Sequence, residues 1–259
     1  MDRYELYERT VQAPEHLVPF LRGLHGAAPR VLGEDFASTA LLSRAWVAAV
    51  PDGEAVAVDL DGEALRRAEG TRGLHAVEAD LRRPLPDGLP APDLIWVGNF
   101  SIGYLHERDE LLGYLRRTRA RLAPGGAFVC DTYGGGAAWR TGAAVREHFL
   151  PGGLRVRSTW EQRVADPVTA RVVNAIHFRV DRDGDVVFEE TDAFVYDWRV
   201  WSLPELGDAA REAGLASIAV HAHLDGDREG RAGRPTPVRD PRELGDPGER
   251  WAACFSARG

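Results

Sequence analysis

The stretch from Arg30 to Asp61, RVLGEDFASTALLSRAWVAAVPDGEAVAVDLD, limits the fold more than any other part of the chain. It reads as strand, tight turn, helix and second strand. Apolar Val31-Leu32 leads to the acidic pair Glu34-Asp35, the small-residue turn Ala37-Ser38-Thr39-Ala40 and a helical run from Leu41 to Val47; the second strand, Ala55 to Val58, ends on Asp59. In a parallel sheet such a unit aims the free N–H groups of its helix at whatever lies beyond the carboxyl ends of the strands. A carboxylate ending the second strand can accept two hydrogen bonds from a ribose diol, so the two features together predict a nucleoside cofactor site.

The turn also discriminates among cofactors. A dinucleotide site wants G-x-G-x-x-G, because the backbone must approach a pyrophosphate closely and turn sharply. Here no glycine follows Gly33 before Ser43, and Phe36 leaves little room for a pyrophosphate at the helix end. NAD and FAD therefore suit the turn less well than a cofactor without phosphate. All 32 basic residues are arginine, and the lack of lysine excludes a pyridoxal Schiff base, a P-loop lysine and a Tyr-x-x-x-Lys dehydrogenase site.

These residues resemble the first motif of class I S-adenosylmethionine-dependent methyltransferases, and more narrowly a branch whose turn reads E-D-F-C-G-T. The resemblance puts Glu34 in the acidic place and Phe36, Ser38 and Ala40 where glycines are common. It spans nearly the whole chain: the L-x-P-G-G leader before the fifth strand and the WEQ and YDWRVW sequences further on are similar as well. It implies an α/β, Rossmann-like sheet of seven mostly parallel strands with the last antiparallel, and S-adenosyl-L-methionine as cofactor. The cofactor contacts it implies are Glu34, Asp35, Phe36, Ala37 and Ser38 in the turn, Asp59 and Leu60 after the second strand, and Asp80 and Leu81 after the third. Asp80 takes the place that reaches the adenine amino group, and Tyr7 that of an N-terminal cap on the pocket; packing of its helix on the sheet is the plainer use of Tyr7.

Along the chain, residues 3 to 25 have an apolar stripe at helical spacing, broken near Pro14. A helix from Gly62 to Glu69 and a strand from Leu74 to Glu78 follow. The fourth strand, Asp93 to Val97, runs into a loop that should border the ligand, with Asn99 and Ser101 offering polar contacts and Phe100 and Tyr104 offering walls. A helix from His106 to Leu122 and a strand from Ala127 to Cys130 come next, then a further helix is expected. Arg155 to Val164, Arg171 to Val180 and Val186 to Tyr196 alternate and predict an inserted three-stranded antiparallel meander, with Asp183-Gly184 as a hairpin turn. Ser202 with Glu205 marks a helix start, and strands at Ser217 to Ala222 and Trp251 to Ala257 flank a Gly-, Pro- and charge-rich loop, Leu224 to Arg250, expected to be mobile. The domain reading is 1–29 as an N-terminal helical cap, 30–150 with 202–259 as the cofactor-binding unit, and 151–201 as the meander, used as a lid over the substrate or as a homodimer contact.

Within that frame Tyr104, Trp160 and Arg199 are candidate substrate contacts, and His177 and Tyr133 candidate catalytic residues. His177 as a base would help a hydroxyl acceptor, whereas an amine needs none; a structural use of His177, and an internal ion pair for Arg199, stay open. A formal net charge of −8 with no long basic helix face argues against nucleic acid. Cys130 and Cys254 give neither a disulfide framework nor a zinc set, no metal is expected, and the charged start MDRYELYERT with no membrane-length apolar run fits a cytoplasmic protein away from membranes. Methyl transfer to a small molecule, on oxygen or nitrogen, is the reading of the whole. A nicotinamide oxidoreductase on a related sheet and a non-catalytic protein with a degenerate cofactor site are the alternatives.

Overall fold

The computed structural model describes residues 1–222 and 235–259. The elements run α1 (Arg3–Thr10), α2 (Pro14–His25), β1 (Val31–Asp35), α3 (Leu41–Ala49), β2 (Glu54–Asp59), α4 (Gly62–Leu65), β3 (Leu74–Glu78), β4 (Leu94–Val97), α5 (Arg108–Arg121), β5 (Ala127–Gly134), β6 (Gly142–Leu150), β7 (Leu154–Asp166), β8 (Arg171–Arg182), β9 (Asp185–Arg199), α6 (Leu203–Glu212), β10 (Ser217–Ala222) and β11 (Trp251–Arg258). Seven strands form one sheet in the order β3-β2-β1-β4-β5-β11-β10, parallel throughout except for β11, which runs antiparallel to both neighbours. The α/β, Rossmann-like sheet expected from the sequence is therefore present.

The short apolar runs are strands because both sheet faces are covered. Leu94, Ile95, Trp96 and Val97 of β4 are all buried, as is usual where helices flank a parallel sheet. One face packs on Leu111, Tyr114, Leu115 and Leu206 of α5 and α6, the other on Leu21, Leu42 and Trp46 of α2 and α3. α6 starts where Ser202 and Glu205 predict, each side chain accepting from the other's backbone N–H. Because β1 and β4 are neighbours while the connections out of them run to opposite faces, the strand order reverses between them and leaves a crevice beyond their carboxyl ends.

The second sheet has four antiparallel strands, β6-β7-β8-β9, rather than three. The helix expected after β5 is replaced by a short 3-10 turn, Gly136–Trp139, and by β6, so this sheet begins at Gly142 and not at residue 151. The Ala-, Arg- and Glu-bearing run of β6 has fair helix propensity. That preference is worth only tenths of a kcal/mol per residue, and pairing with β7 from Gly142↔Gln162 to Leu150↔Leu154 outweighs it. Asp183 (φ 52°) and Gly184 (φ 97°) turn β8 into β9 as predicted. β5 is four residues longer than expected, because β11 pairs along it as far as Gly134. Of the loop expected to be mobile, residues 224–234 lie outside the described residues.

The second sheet turns one face inward. Val156, Ile176, Phe178 and Val180 close over Leu6 and Tyr7 of α1, and nearer the parallel sheet Val172 and Trp198 pack with Tyr133. Gly103 makes this approach possible: a Cβ there would stand 2.8 Å from Trp198 Cβ and 3.0 Å from the Arg199 carbonyl oxygen.

Candidate active site

The turn after β1 reproduces the backbone of a glycine turn without glycines. Phe36 (φ 58°), Ser38 (φ 49°) and Ala40 (φ 54°) are all left-handed, at the three places where the resemblance puts glycine. Each costs an L-residue about 1–2 kcal/mol, so the surroundings must hold the turn. Ala37 N–H donates to the Val58 carbonyl (2.9 Å), Ala40 N–H to the Ala37 carbonyl (2.8 Å) and Ser38 N–H to Asp59 Oδ2 (2.6 Å). The Asp59 carboxylate also accepts the Asp61 N–H on Oδ1 (2.9 Å), and burial raises its pKa. Beside it Leu60 stands 63% exposed.

The wall facing this turn is aromatic. Phe36 stacks on Tyr104 (centroids 5.9 Å apart, planes 22° apart), and Tyr104 meets Trp198 edge-on at 6.0 Å. The Tyr104 hydroxyl is pushed up to about 12, by burial first and also by the Asp59 charge. Asp59, Leu60, Phe36, Ser38 and Tyr104 therefore converge at the crevice between the two sheets.

Two residues expected in the site are turned elsewhere. Glu34 is buried and accepts the Ser43 N–H (2.8 Å) and hydroxyl (2.6 Å), supplying from β1 the cap that Ala40 cannot give to α3. Burial pushes its pKa up to about 7 against the pull of Ser43. Asp35 faces the opposite side, where it accepts both Arg121 guanidinium nitrogens (2.9 Å each) and the Tyr114 hydroxyl (2.6 Å). Consecutive strand residues point to opposite sheet faces, and here a helix covers each face.

Other expected contacts are partly committed. Asp80 is held by Arg82, whose Nε lies 3.0 Å and 3.2 Å from its two oxygens, and that hydrogen bond lowers its pKa. Leu81 is buried in the core below. Asn99 and Phe100 are left-handed (φ 54° and 61°), and their N–H groups donate to the two Asp131 oxygens (2.9 and 2.6 Å). Ser101 is buried in the following 3-10 turn. Tyr7 is buried against Phe194, 5.0 Å between centroids, and burial raises its pKa against the opposing pull of the neighbouring Tyr196 hydroxyl.

On the second sheet Trp160 faces inward, stacked on Tyr196 at 5.9 Å, which stacks on Trp198 at 4.6 Å. Tyr133 reaches the same wall from β5, with Phe100 4.7 Å away and the Arg250 guanidinium over its ring. Burial raises the Tyr133 pKa, so its hydroxyl stays protonated near neutrality. His177 alternates onto the outer face, where Nε2 lies 3.1 Å from Glu161 and Nδ1 accepts the Asp192 N–H (2.9 Å), and it does not face the crevice. Arg199 is occupied too: it donates to Glu205 (3.0 Å) and the His106 carbonyl (3.1 Å) and lies 3.8 Å over the Trp201 ring.

Sequence reasoning passed over Asp131, Asn174, Tyr196, and the pair Tyr4 and Asp61, whose side chains meet at 2.6 Å. Asp131 carried a signal, an acid on the strand next to the loop it pins. The others needed the second sheet and α1 in place. Among the described residues no group of three or more His, Cys, Asp or Glu could hold a metal ion, and no helix is long and apolar enough to cross a membrane.

No family model and no curated protein sequence matches this chain. Solved structures do match. The sugar N-methyltransferase KedS8 from Streptoalloteichus is 18% identical, with 99% of this chain and 93% of that one covered at a TM-score of 0.67. An S-adenosylmethionine-dependent methyltransferase from Clostridium acetobutylicum is 17% identical over 98% and 97%, TM-score 0.68. The amino pentose methyltransferase CalS10 from Micromonospora echinaspora, solved with S-adenosylmethionine bound, is 14% identical over 100% and 98%, TM-score 0.66. At such identities the likeness is one of architecture, and the chain has the Rossmann-like fold of class I S-adenosylmethionine-dependent methyltransferases.

Proposed function

We propose that this protein is an S-adenosylmethionine-dependent methyltransferase acting on a small molecule, with nitrogen rather than oxygen as the methyl acceptor. The observation that carries the reading is the turn at Phe36, Ser38 and Ala40, held left-handed over the Asp59 carboxylate at the reversal of strand order. A chain retains about 1–2 kcal/mol of strain at each of three neighbouring residues where the surroundings, or a ligand, need that backbone. The residues fit the cofactor. Asp59 has lone pairs left for a ribose diol, and Leu60 offers an apolar surface to a purine ring.

When bound, the cofactor supplies a methyl group already activated by a sulfonium, so the protein needs chiefly to align the acceptor and keep water out. Phe36, Tyr104 and Trp198 form the wall that excludes water between the turn and the second sheet. Tyr133, held protonated by burial, is a hydrogen-bond donor for a bound acceptor and not a base, and His177 faces outward. That favours an amine, which loses its proton to solvent before transfer, over an alcohol, which needs a base positioned in the site. The sugar and amino sugar substrates named for the similar structures fit a small polar acceptor.

Titration calorimetry with S-adenosylmethionine, S-adenosylhomocysteine and NAD tests the reading. Heat is expected from the first two only, and Asp59→Asn is expected to weaken S-adenosylhomocysteine by about 10–100-fold, the usual cost of losing charge-assisted hydrogen bonds. Silence from both sulfur ligands with the wild-type protein would remove the proposal.

A further inference from the structure

Three residues share one row across the inner face of the second sheet: Gln162 on β7 opposite Asn174 on β8, and Asn174 opposite Tyr196 on β9. Two of these side chains are polar amides with opposite circumstances. Gln162 is fully engaged, donating to the Ala138 (2.6 Å) and Arg140 (3.1 Å) carbonyls and accepting from Arg250 (3.0 Å). Asn174 is 0% exposed, yet neither its oxygen nor its nitrogen has a hydrogen-bond partner. The Tyr133 hydroxyl is close enough for Asn174 to influence its titration, but the two do not reach hydrogen-bond geometry, and the Tyr133 oxygen and the Trp160 Nε1 are likewise without partners. A buried amide with both ends unmet is costly in a folded chain and calls for something to complete it.

We propose, building on the methyltransferase reading, that Asn174 is the specificity-determining residue of the acceptor pocket, its amide and the Tyr133 hydroxyl together reading a hydroxyl group carried by the acceptor molecule. The chemistry follows from what is unmet. The Asn174 oxygen needs a donor and its NH2 an acceptor, and a hydroxyl supplies both from one atom. Tyr133, kept protonated, adds a second donor toward an oxygen lone pair. The stacked faces of Trp160, Tyr196 and Trp198 beside this set give the carbon skeleton of such a molecule an apolar surface. An analogue without the hydroxyl leaves the amide buried and unpaired, which is how a hydrogen-bonding pocket rejects it.

The test compares wild type with Asn174→Leu, which has the same branching and heavy-atom count without polar atoms, and with Asn174→Ala. Protein saturated with S-adenosylhomocysteine is titrated with D-glucosamine, an amine flanked by hydroxyls, and with cyclohexylamine, a ring amine without them. Wild type is expected to prefer D-glucosamine by about tenfold or more, and both variants to lose that preference while S-adenosylhomocysteine affinity stays within about twofold. Asn174→Leu is also expected to melt at or above the wild-type temperature, because an apolar group replaces one that is unpaired in the free protein. No preference in wild type, a preference retained in both variants, or a lower melting temperature for Asn174→Leu would each overturn the proposal, the last by showing that the amide is completed within the folded chain. Failure of S-adenosylhomocysteine to bind wild type would fall on the methyltransferase reading instead, and the melting comparison would still report on Asn174.

Discussion

Glu34 joins a strand end to a helix start at the expense of its own charge. Buried under Ser43, its pKa is pushed up to about 7, while in the unfolded chain it titrates near 4.5. The sign follows from proton binding: between about pH 4.5 and about pH 7 the folded state holds a proton that the unfolded state has released. Stability from this group is thus full below about 4.5 and falls as pH rises toward 7, by roughly 3 kcal/mol over the window. Glu34→Gln keeps an acceptor for Ser43 and cannot ionise, so denaturant unfolding at pH 5 and pH 7.5 should show the variant losing less stability than wild type over that interval. An unchanged difference between the two pH values would show that Glu34 is not held this way. That an acid belongs at position 34 was legible in the sequence, but where it points was not. Position 34 faces the sheet side covered by α3, and position 35 the side covered by α5.

Asp35, Tyr114 and Arg121 tie two elements together, β1 and α5, through a carboxylate with no exposure. Burial lowers the Arg121 pKa and the Asp35 charge raises it, with the net shift upward. Removing one partner of such a pair leaves the other charge buried and unmatched, so Arg121→Met should cost about 3–5 kcal/mol in urea unfolding at neutral pH. Replacing both, Asp35→Leu with Arg121→Met, should recover much of that loss, since what destabilises is the orphaned charge. A single variant as stable as wild type would deny the bridge its role. At this scale the sequence predicts the parallel strands and their helices well, because apolar runs and capping residues act within a few positions. It misses β6, whose strand state depends on pairing with β7 and hardly on its own residues.

The two sheets are joined through the N-terminal helix. α1 buries Leu6 and Tyr7 against the second sheet, while its Tyr4 donates to Asp61, whose own N–H reaches Asp59 at the crevice. Deleting residues 1–11 should lower the melting temperature, since burying each of two large side chains contributes about 1.5–3 kcal/mol. It should also weaken S-adenosylhomocysteine binding, read by calorimetry, as the inner face of the second sheet and Asp61 open to water. Full affinity in the shortened protein would detach α1 and Tyr7 from the site. From its sequence alone the chain determined its parallel sheet, the acid ending β2 and the glycine-free turn, because strand periodicity, capping and turn chemistry are local. Only the tertiary structure decided that Glu34 and Asp35 face inward, that His177 faces out, and that Asn174 is buried on the inner face near Tyr133 with its amide unpaired. Those facts depend on which surface covers each strand face, and residues distant in the chain supply that surface.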